Sequence, residues 1–418
     1  MAIRVVFLSF YFEAWDSLAP VYERMLANPR FEPIVISIPR RFTGETEYGH
    51  EAEVSANFER RGIEHLRFDF ADPFEGNRRL RELAPDYVFL NYPWQRNYQP
   101  GFRPDALAEF TKLCYVPYYS LPLVNEPGVI GVAPHLYRQR LHQLASMVFA
   151  QDGAVCDAYA DTQRGNGYVH LVGSPKLDAL VEQANASAGH WPIQRNWGGR
   201  AFRLVWAPHH SYSEHWLNFG VFASMHQQML EFATRHQELE ILARPHPFLF
   251  GTLVDRGVLS AQQLEIWLDS WNALPNTGID LGGNYAEVFK ACDLLLTDGI
   301  SFIGEYPLVT GKPAIFMENP DHWAFSPIGE VAANANLRVR NFDEFEALFD
   351  QIRTVGMPER SDEIAALAAS ARPFPGEAAK RIVDLVLADS EAKTPLIDPS
   401  QVTETPWELE PGREPFTD

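Results

Sequence analysis

A chain of 418 residues, 46% hydrophobic and 22% charged, with a formal net charge of −20, is long enough for two or three domains with cores of their own. That composition excludes wholesale disorder. The acidity excludes a protein whose main business is gripping nucleic acid or an anionic membrane, because both demand a basic face. Three scattered cysteines, Cys114, Cys156 and Cys292, offer neither a disulfide framework nor a CxxC pair, so a reducing cytoplasm is expected. The N-terminal run MAIRVVFLSFYFEAWD reads as a first strand rather than a signal peptide. No stretch approaches the roughly 18–20 apolar residues that span a bilayer.

Along the first half the apolar runs IRVVFLS (from Ile3), EPIVISI (from Glu32), EHLRFDF (from Glu64), DYVFLNY (from Asp86), KLCYVPYY (from Lys112), MVFAQ (from Met147) and YVHLVG (from Tyr168) predict strands. Helical patterns such as SLAPVYERMLAN, NRRLRELA, DALAEFT and HLYRQRLHQLA alternate with them. Around residues 42–60, Gly44 and Gly49 predict a loop leading into a helix. Residues 184–200 lack a period and read as a linker. The alternation then restarts with strands RLVWAPHH (from Arg203), LEILARPHP (from Leu239), GIDLG, LLLTD (from Leu294) and PAIFME (from Pro313), and helices between and after them. The pattern predicts an α/β protein of two Rossmann-like parallel-sheet domains facing a cleft. The expected boundaries are 1–183, a linker 184–200, 201–390, and an acidic, proline-rich tail 391–418 that is irregular and lies on the surface or is partly disordered.

Open parallel sheets bind ligands beyond the carboxyl ends of their strands. In the second half three strands end in chemistry: His209 and His210; Arg244 and His246; and Thr297, Asp298, Gly299 and Ser301, with Glu305 a turn further on. Imidazoles, a guanidinium and a helix N-terminus together suit a nucleotide diphosphate. Each also has a structural reading, a capping histidine, a proline-rigid loop, or Asp298 as a helix N-cap; the joint pattern carries the inference. Gly282-Gly283 is a helix-entry turn or a ligand-facing loop. His142, His215, His226 and His236 lack a spacing partner and read as surface or core residues. In the first half, Tyr118 and Tyr119 after the fifth strand, and Asn91, Tyr92 and Trp94 after the fourth, either present polar groups to an acceptor or serve as lid or core packing, and His135 follows at a helix start. No HExxH and no clustered His/Asp set appears in the spacing, so no protein-held metal is expected. The lack of GxGxxG after the first strand argues against a dinucleotide cofactor.

The run LLLTDGISFIGEYPLVTGKPAIF (from Leu294) resembles the donor-binding segment of the CDP-glycerol glycerophosphotransferases, the teichoic-acid and capsule polymerase family. WAPHHS, LARPHP, VGSPKLDAL (from Val172), PDYVFLNYPW (from Pro85) and CYVPYYS (from Cys114) are similar to further segments of that family in the same order. The resemblance implies a GT-B fold, with acceptor half first and nucleotide-donor half second, and no essential metal or cofactor. It implies that His246 matches the family's His-Pro histidine, and Thr297 and Ser301 its phosphate-contacting hydroxyls. Where many members carry a His-Gly pair, this chain has Pro117-Tyr118-Tyr119-Ser120, so its base or its acceptor differs. The expected activity is transfer of a polyol phosphate from a CDP-linked donor to a glycan or polyol hydroxyl, with His246 or His135 taking the proton. A UDP- or GDP-sugar glycosyltransferase or epimerase, and a non-catalytic nucleotide-binding member, are the alternatives. Oligomeric state is not readable from the sequence.

Overall fold

The computed structural model describes residues 2–42, 45–193, 199–213, 216–282 and 285–410. Its first sheet holds seven parallel strands: β1 (Ile3–Ser9), β2 (Phe31–Ser37), β3 (Leu66–Arg67), β4 (Tyr87–Leu90), β5 (Lys112–Tyr115), β6 (Met147–Ala150) and β7 (Val169–Leu171), in the order β3-β2-β1-β4-β5-β6-β7. The second holds six: β8 (Phe202–Ala207), β9 (Leu239–Ala243), β10 (Thr277–Ile279), β11 (Leu294–Thr297), β12 (Ile315–Met317) and β13 (Leu337–Val339), in the order β10-β9-β8-β11-β12-β13. β13 was not among the expected strands; only Leu337, Arg338 and Val339 form it, between two asparagines. Strand order reverses between β1 and β4 and again between β8 and β11, which places a topological switch point in each sheet.

Both faces of the second sheet are covered because neighbouring residues along a strand point opposite ways. Leu204 and Trp206 of β8, with Leu294 and Leu296 of β11, join one core with Trp267, Trp271 and Phe345. Val205, Ala207 and Leu295 join the other with Phe289, Tyr306 and Ala314. Such strands read as continuous apolar runs, which is why the sequence pattern locates them. The predicted helix HLYRQRLHQLA breaks in two, a 3-10 turn Pro134–Leu136 and a short helix Arg140–Leu144.

The chain forms two compact units, and neither is one continuous stretch. The first comprises Met1–Leu121, Val129–Ala179 and Ala371–Thr417; the second takes Pro122–Gly128 and Leu180–Ser370. The boundary expected at residue 390 therefore moves back to 371. The helix Ala378–Ala392 puts Ile382, Val383 and Val386 into the same core as Val21 and Met25 of the first unit. Pro122–Gly128 docks on the second unit: Ser326 donates from its amide to the Leu123 carbonyl at 2.9 Å and from its hydroxyl to the Pro122 carbonyl at 2.7 Å. Gly329 is required there, since a Cβ would lie 1.9 Å from the Leu123 oxygen.

The acidic tail, as far as residue 410, is irregular but held. Arg138 pairs with Glu404 and Glu410, both at 3.0 Å, and Arg140 donates to the Val402 carbonyl at 2.9 Å. Trp407, 1% exposed, packs against Trp94 and His135. Trp407→Ala is expected to destabilise the protein by about 3 kcal/mol, measured by chemical denaturation. A change below about 0.5 kcal/mol would show that the tail adds nothing to the first unit.

Candidate functional site

The switch point between β8 and β11 assembles the strongest group of polar side chains. Pairing between β8 and β9 runs past the strand ends: the Arg244 amide donates to the Trp206 carbonyl at 2.7 Å and the His246 amide to the Pro208 carbonyl at 2.9 Å. Pro245 and Pro247 supply no N–H, so the ladder stops there. This register sets His246 beside His210, with ring centroids 4.0 Å apart and planes within 28° of parallel. His209 completes a trio, 4.7 Å from His210 and 5.4 Å from His246.

The turn after β11 closes the site from the other side. Gly299 precedes the helix Ile300–Thr310 in extended conformation, without a side-chain cap. A Cβ on Gly299 would lie 3.4 Å from His209 Cδ2, so the helix start abuts the imidazole trio. The first-turn amides and exposed Ser301 thus present the positive end of a helix beside three imidazoles.

Burial pushes His209 well below the usual histidine range, and pushes His210 down to about 4 with the Arg256 charge adding to it. Both rings are neutral near pH 7. Hydrogen bonding fixes two tautomers. Ser211 Oγ accepts the Phe219 amide and directs its own proton at His209 Nδ1, 2.8 Å away, which the Ser211 amide also approaches. The Phe248 amide donates to His246 Nδ1 at 3.2 Å. With Nδ1 accepting in each, the ring proton sits on Nε2, so His209 and His246 are N–H donors. A donor in its resting state, His246 is better suited to holding an oxyanion than to the expected task of taking an acceptor proton.

Several expected ligand contacts are internal supports instead. Asp298 is buried, one carboxylate oxygen accepting the His209 amide at 2.6 Å and the other the Val221 amide at 2.7 Å. Burial raises its pKa to about 7 against the pull of those amides. Thr297 donates from Oγ1 to the Ala207 carbonyl and accepts the Gly299 amide, stitching β11 to β8. Arg244 pairs with Asp280 and donates to the Gly282 carbonyl, and Glu305, fully buried, accepts the Tyr285 hydroxyl at 2.8 Å. The side chains of Thr297, Asp298 and Glu305 are therefore part of the frame, and the Arg244 charge is already offset. The orienting role of Ser211 was missed; His-x-Ser at a strand end is the only signal for it.

In the first unit His135 is buried beside Trp94 and Trp407, so it is not presented as an open base. Tyr118 and Tyr119 are half-buried; Tyr118 packs on Tyr92 at 4.7 Å, and burial raises the Tyr119 phenol well above its ordinary value. Asn91 is committed to the Ala14 carbonyl and Ser17. His142 is buried in the core and pushed down to about 3. His226 and His236 bond locally, to the Ala223 carbonyl and to Glu238. His215 and Gly283 lie outside the described residues.

The trio corrects one expectation: the spacing suggested no clustered histidines, yet ring nitrogens of His209, His210 and His246 all lie within 4.8 Å of one another. Ligands on one zinc ion sit at about 2.0–2.1 Å from it, with lone pairs aimed at a common point. The ring planes of His210 and His246 lie 28° apart, and Nδ1 of His209 and of His246 already accepts hydrogen bonds.

Scanned against protein families, the chain matches none, and no curated protein matches it in sequence. Solved structures do match. A putative UDP-N-acetylglucosamine 2-epimerase from Listeria monocytogenes superposes with a TM-score of 0.63 at 15% identity, over 95% of this chain and 99% of that one. The fold is GT-B. The UDP-GlcNAc 2-epimerase from Neisseria meningitidis, bound to UDP-GlcNAc, gives 0.58 at 14% identity over 93% and 100%. The wall teichoic acid polymerase TagF, soaked with CDPG, gives 0.58 at 14% over 93% and 90%. Among the described residues no helix is long and apolar enough to cross a membrane.

Proposed function

We propose that the chain is a nucleotide-diphosphate-dependent transferase whose second unit holds the donor, with a CDP-linked polyol as the donor class. The observation that carries this reading is the convergence of two imidazole N–H donors, His209 and His246, with the uncapped start of the helix Ile300–Thr310 at a switch point. In the reaction an acceptor hydroxyl oxygen bonds to the distal phosphorus of the donor. The bond from that phosphorus to the bridging oxygen breaks, CMP leaves with the electron pair, and one proton is released. Charge building on the departing phosphate meets donors already aimed at it, which is where such groups act most strongly. The resemblance of the Thr297–Phe316 block and the likeness to TagF support a cytidine donor.

A UDP-sugar epimerase or glycosyltransferase is the second reading, supported by the likeness to UDP-GlcNAc 2-epimerases over nearly the whole chain. Thermal shift with CDP, UDP and GDP separates the two. At about 100 times Kd a ligand stabilises by roughly 2.7 kcal/mol, which is a shift of several degrees. CDP is expected to give the largest shift. A preference for UDP replaces the first reading with the second, and no shift with any nucleotide rejects both.

A further inference from the structure

At the amino ends of β6 and β7 the first unit holds a cavity of about 480 Å³. That is the opposite edge from the one where open parallel sheets bind their ligands. The volume falls in the range of small-molecule pockets, roughly 300–1,000 Å³. One wall is the start of β6 with the residues around β7; the other is the end of the helix Ala378–Ala392 and the chain that follows it. Met147, Leu385, Pro395 and Ile397 give the cavity an aliphatic lining, and Ala388 and Ala392 present only methyl groups to it from the helix.

Asp389, Arg164 and His170 stand in that lining. The Asp389 carboxylate is already engaged: Oδ2 accepts the Tyr87 hydroxyl at 2.5 Å and the Lys112 ammonium at 2.6 Å, and Oδ1 accepts the Thr394 hydroxyl. Arg164 is held but not neutralised. Both of its hydrogen bonds leave from Nη1, to the Gln143 carbonyl at 2.6 Å and the Ala145 carbonyl at 2.7 Å, and the guanidinium lies over the Tyr168 ring at 3.7 Å. Among the described residues Nε and Nη2 meet no acceptor, and no carboxylate pairs with the group. His170 is half-buried and makes no hydrogen bond among the described residues; burial holds it below the usual histidine range, so its ring is neutral near pH 7 and has one N–H to give. Lys112 cancels Asp389, so Arg164 leaves this cavity positive in a chain of net charge −20. Carbonyls and a ring face orient a guanidinium, whereas a carboxylate or phosphate also satisfies its charge.

We propose that this cavity is a second ligand site, separate from the nucleotide site, and that it takes a small amphipathic acid: a short aliphatic body in the apolar lining, with one carboxylate or phosphate paired to Arg164. The site stands whether or not the donor reading does. Isothermal titration of the full-length protein, without nucleotide, compares octanoate and octyl phosphate, two acids on one body, with 1-octanol, the body alone, and with acetate and inorganic phosphate, the charges alone. The better of the two acids is expected to bind about tenfold or more tightly than 1-octanol, acetate and inorganic phosphate, and which acid it is names the head group. Arg164→Gln is expected to bring that acid down to the affinity of 1-octanol. Ala388→Phe, at an exposed helix position that lines the cavity, is expected to weaken the acid by about tenfold or more and to fold as the wild type does. Neither variant is expected to change the CDP-induced thermal shift. Binding of 1-octanol as tight as that of the acids would reduce the cavity to an apolar surface, and acetate or inorganic phosphate binding as tightly would reduce it to ion pairing at large; either overturns the proposal. So would the failure of both acids to bind at millimolar concentration, or an undiminished preference in folded Arg164→Gln. Undiminished acid binding in Ala388→Phe would place the acid elsewhere and overturn the proposal by itself, which keeps the test decisive if Arg164→Gln does not fold.

Discussion

His246→Ala is expected to lower the rate of CDP-polyol transfer by about 10²–10³-fold, the usual consequence of deleting one donor to a developing oxyanion. The His246 ring is half-buried and stacked on His210, and the Phe248 amide holds its Nδ1 so that Nε2 carries the proton. Alanine removes that donor and releases His210 from the stack. His246→Gln keeps an N–H in nearly the same place, and should restore part of the rate if donation is what the residue supplies. It should restore none if the ring takes a proton. Single-turnover assays at saturating donor, with CDP binding followed separately, distinguish a lost chemical step from lost affinity. Wild-type turnover by His246→Ala would remove the residue from the site altogether.

Asp298→Ala is expected to destabilise the protein by about 4 kcal/mol, because the buried amides of His209 and Val221 each lose their acceptor at roughly 1–3 kcal/mol apiece. The pH dependence has a definite sign. In the folded protein the Asp298 pKa is raised to about 7, against about 3.9 for an unperturbed aspartate. Between those values the folded state binds the proton more readily than the unfolded state, so this residue's contribution to stability falls as pH rises from about 4 to 7. Asp298→Asn removes the titration. The stability gap between wild type and Asp298→Asn, from urea unfolding at several pH values, is therefore expected to be widest near pH 4–5 and to narrow by pH 8. A gap that widens with pH would mean that the ionised carboxylate is the better acceptor for those amides.

Much of the architecture was legible because parallel strands buried on both faces must be nearly continuous apolar runs, as YVFL at β4 and LLLT at β11 are. β13 escaped because three residues carry no period. The C-terminal helix was placed in the wrong half because an amphipathic stripe says that a face is buried, not which core receives it. At the site, the strand-end rule located His209, His210, His246 and the Gly299 turn correctly as neighbours. It did not show which side chains face outward. Thr297, Asp298 and Glu305 have the chemistry of ligand contacts, and the structure spends their polar atoms on amides, a carbonyl and a phenol.

The interleaving of the two units has a practical consequence for dissecting the protein. The chain passes from one unit to the other after Leu121, Gly128, Ala179 and Ser370. A gene split in the 184–200 segment would yield two fragments, neither of which encodes a whole unit. The front fragment would lack the helix that covers Val21 and Met25; the rear one would lack Pro122–Gly128, which seats on Ser326 and Gly329. Donor-side work on an isolated half therefore calls for a rearranged gene, with residues 122–128 supplied in trans or grafted ahead of residue 180, and with the chain ended near residue 370.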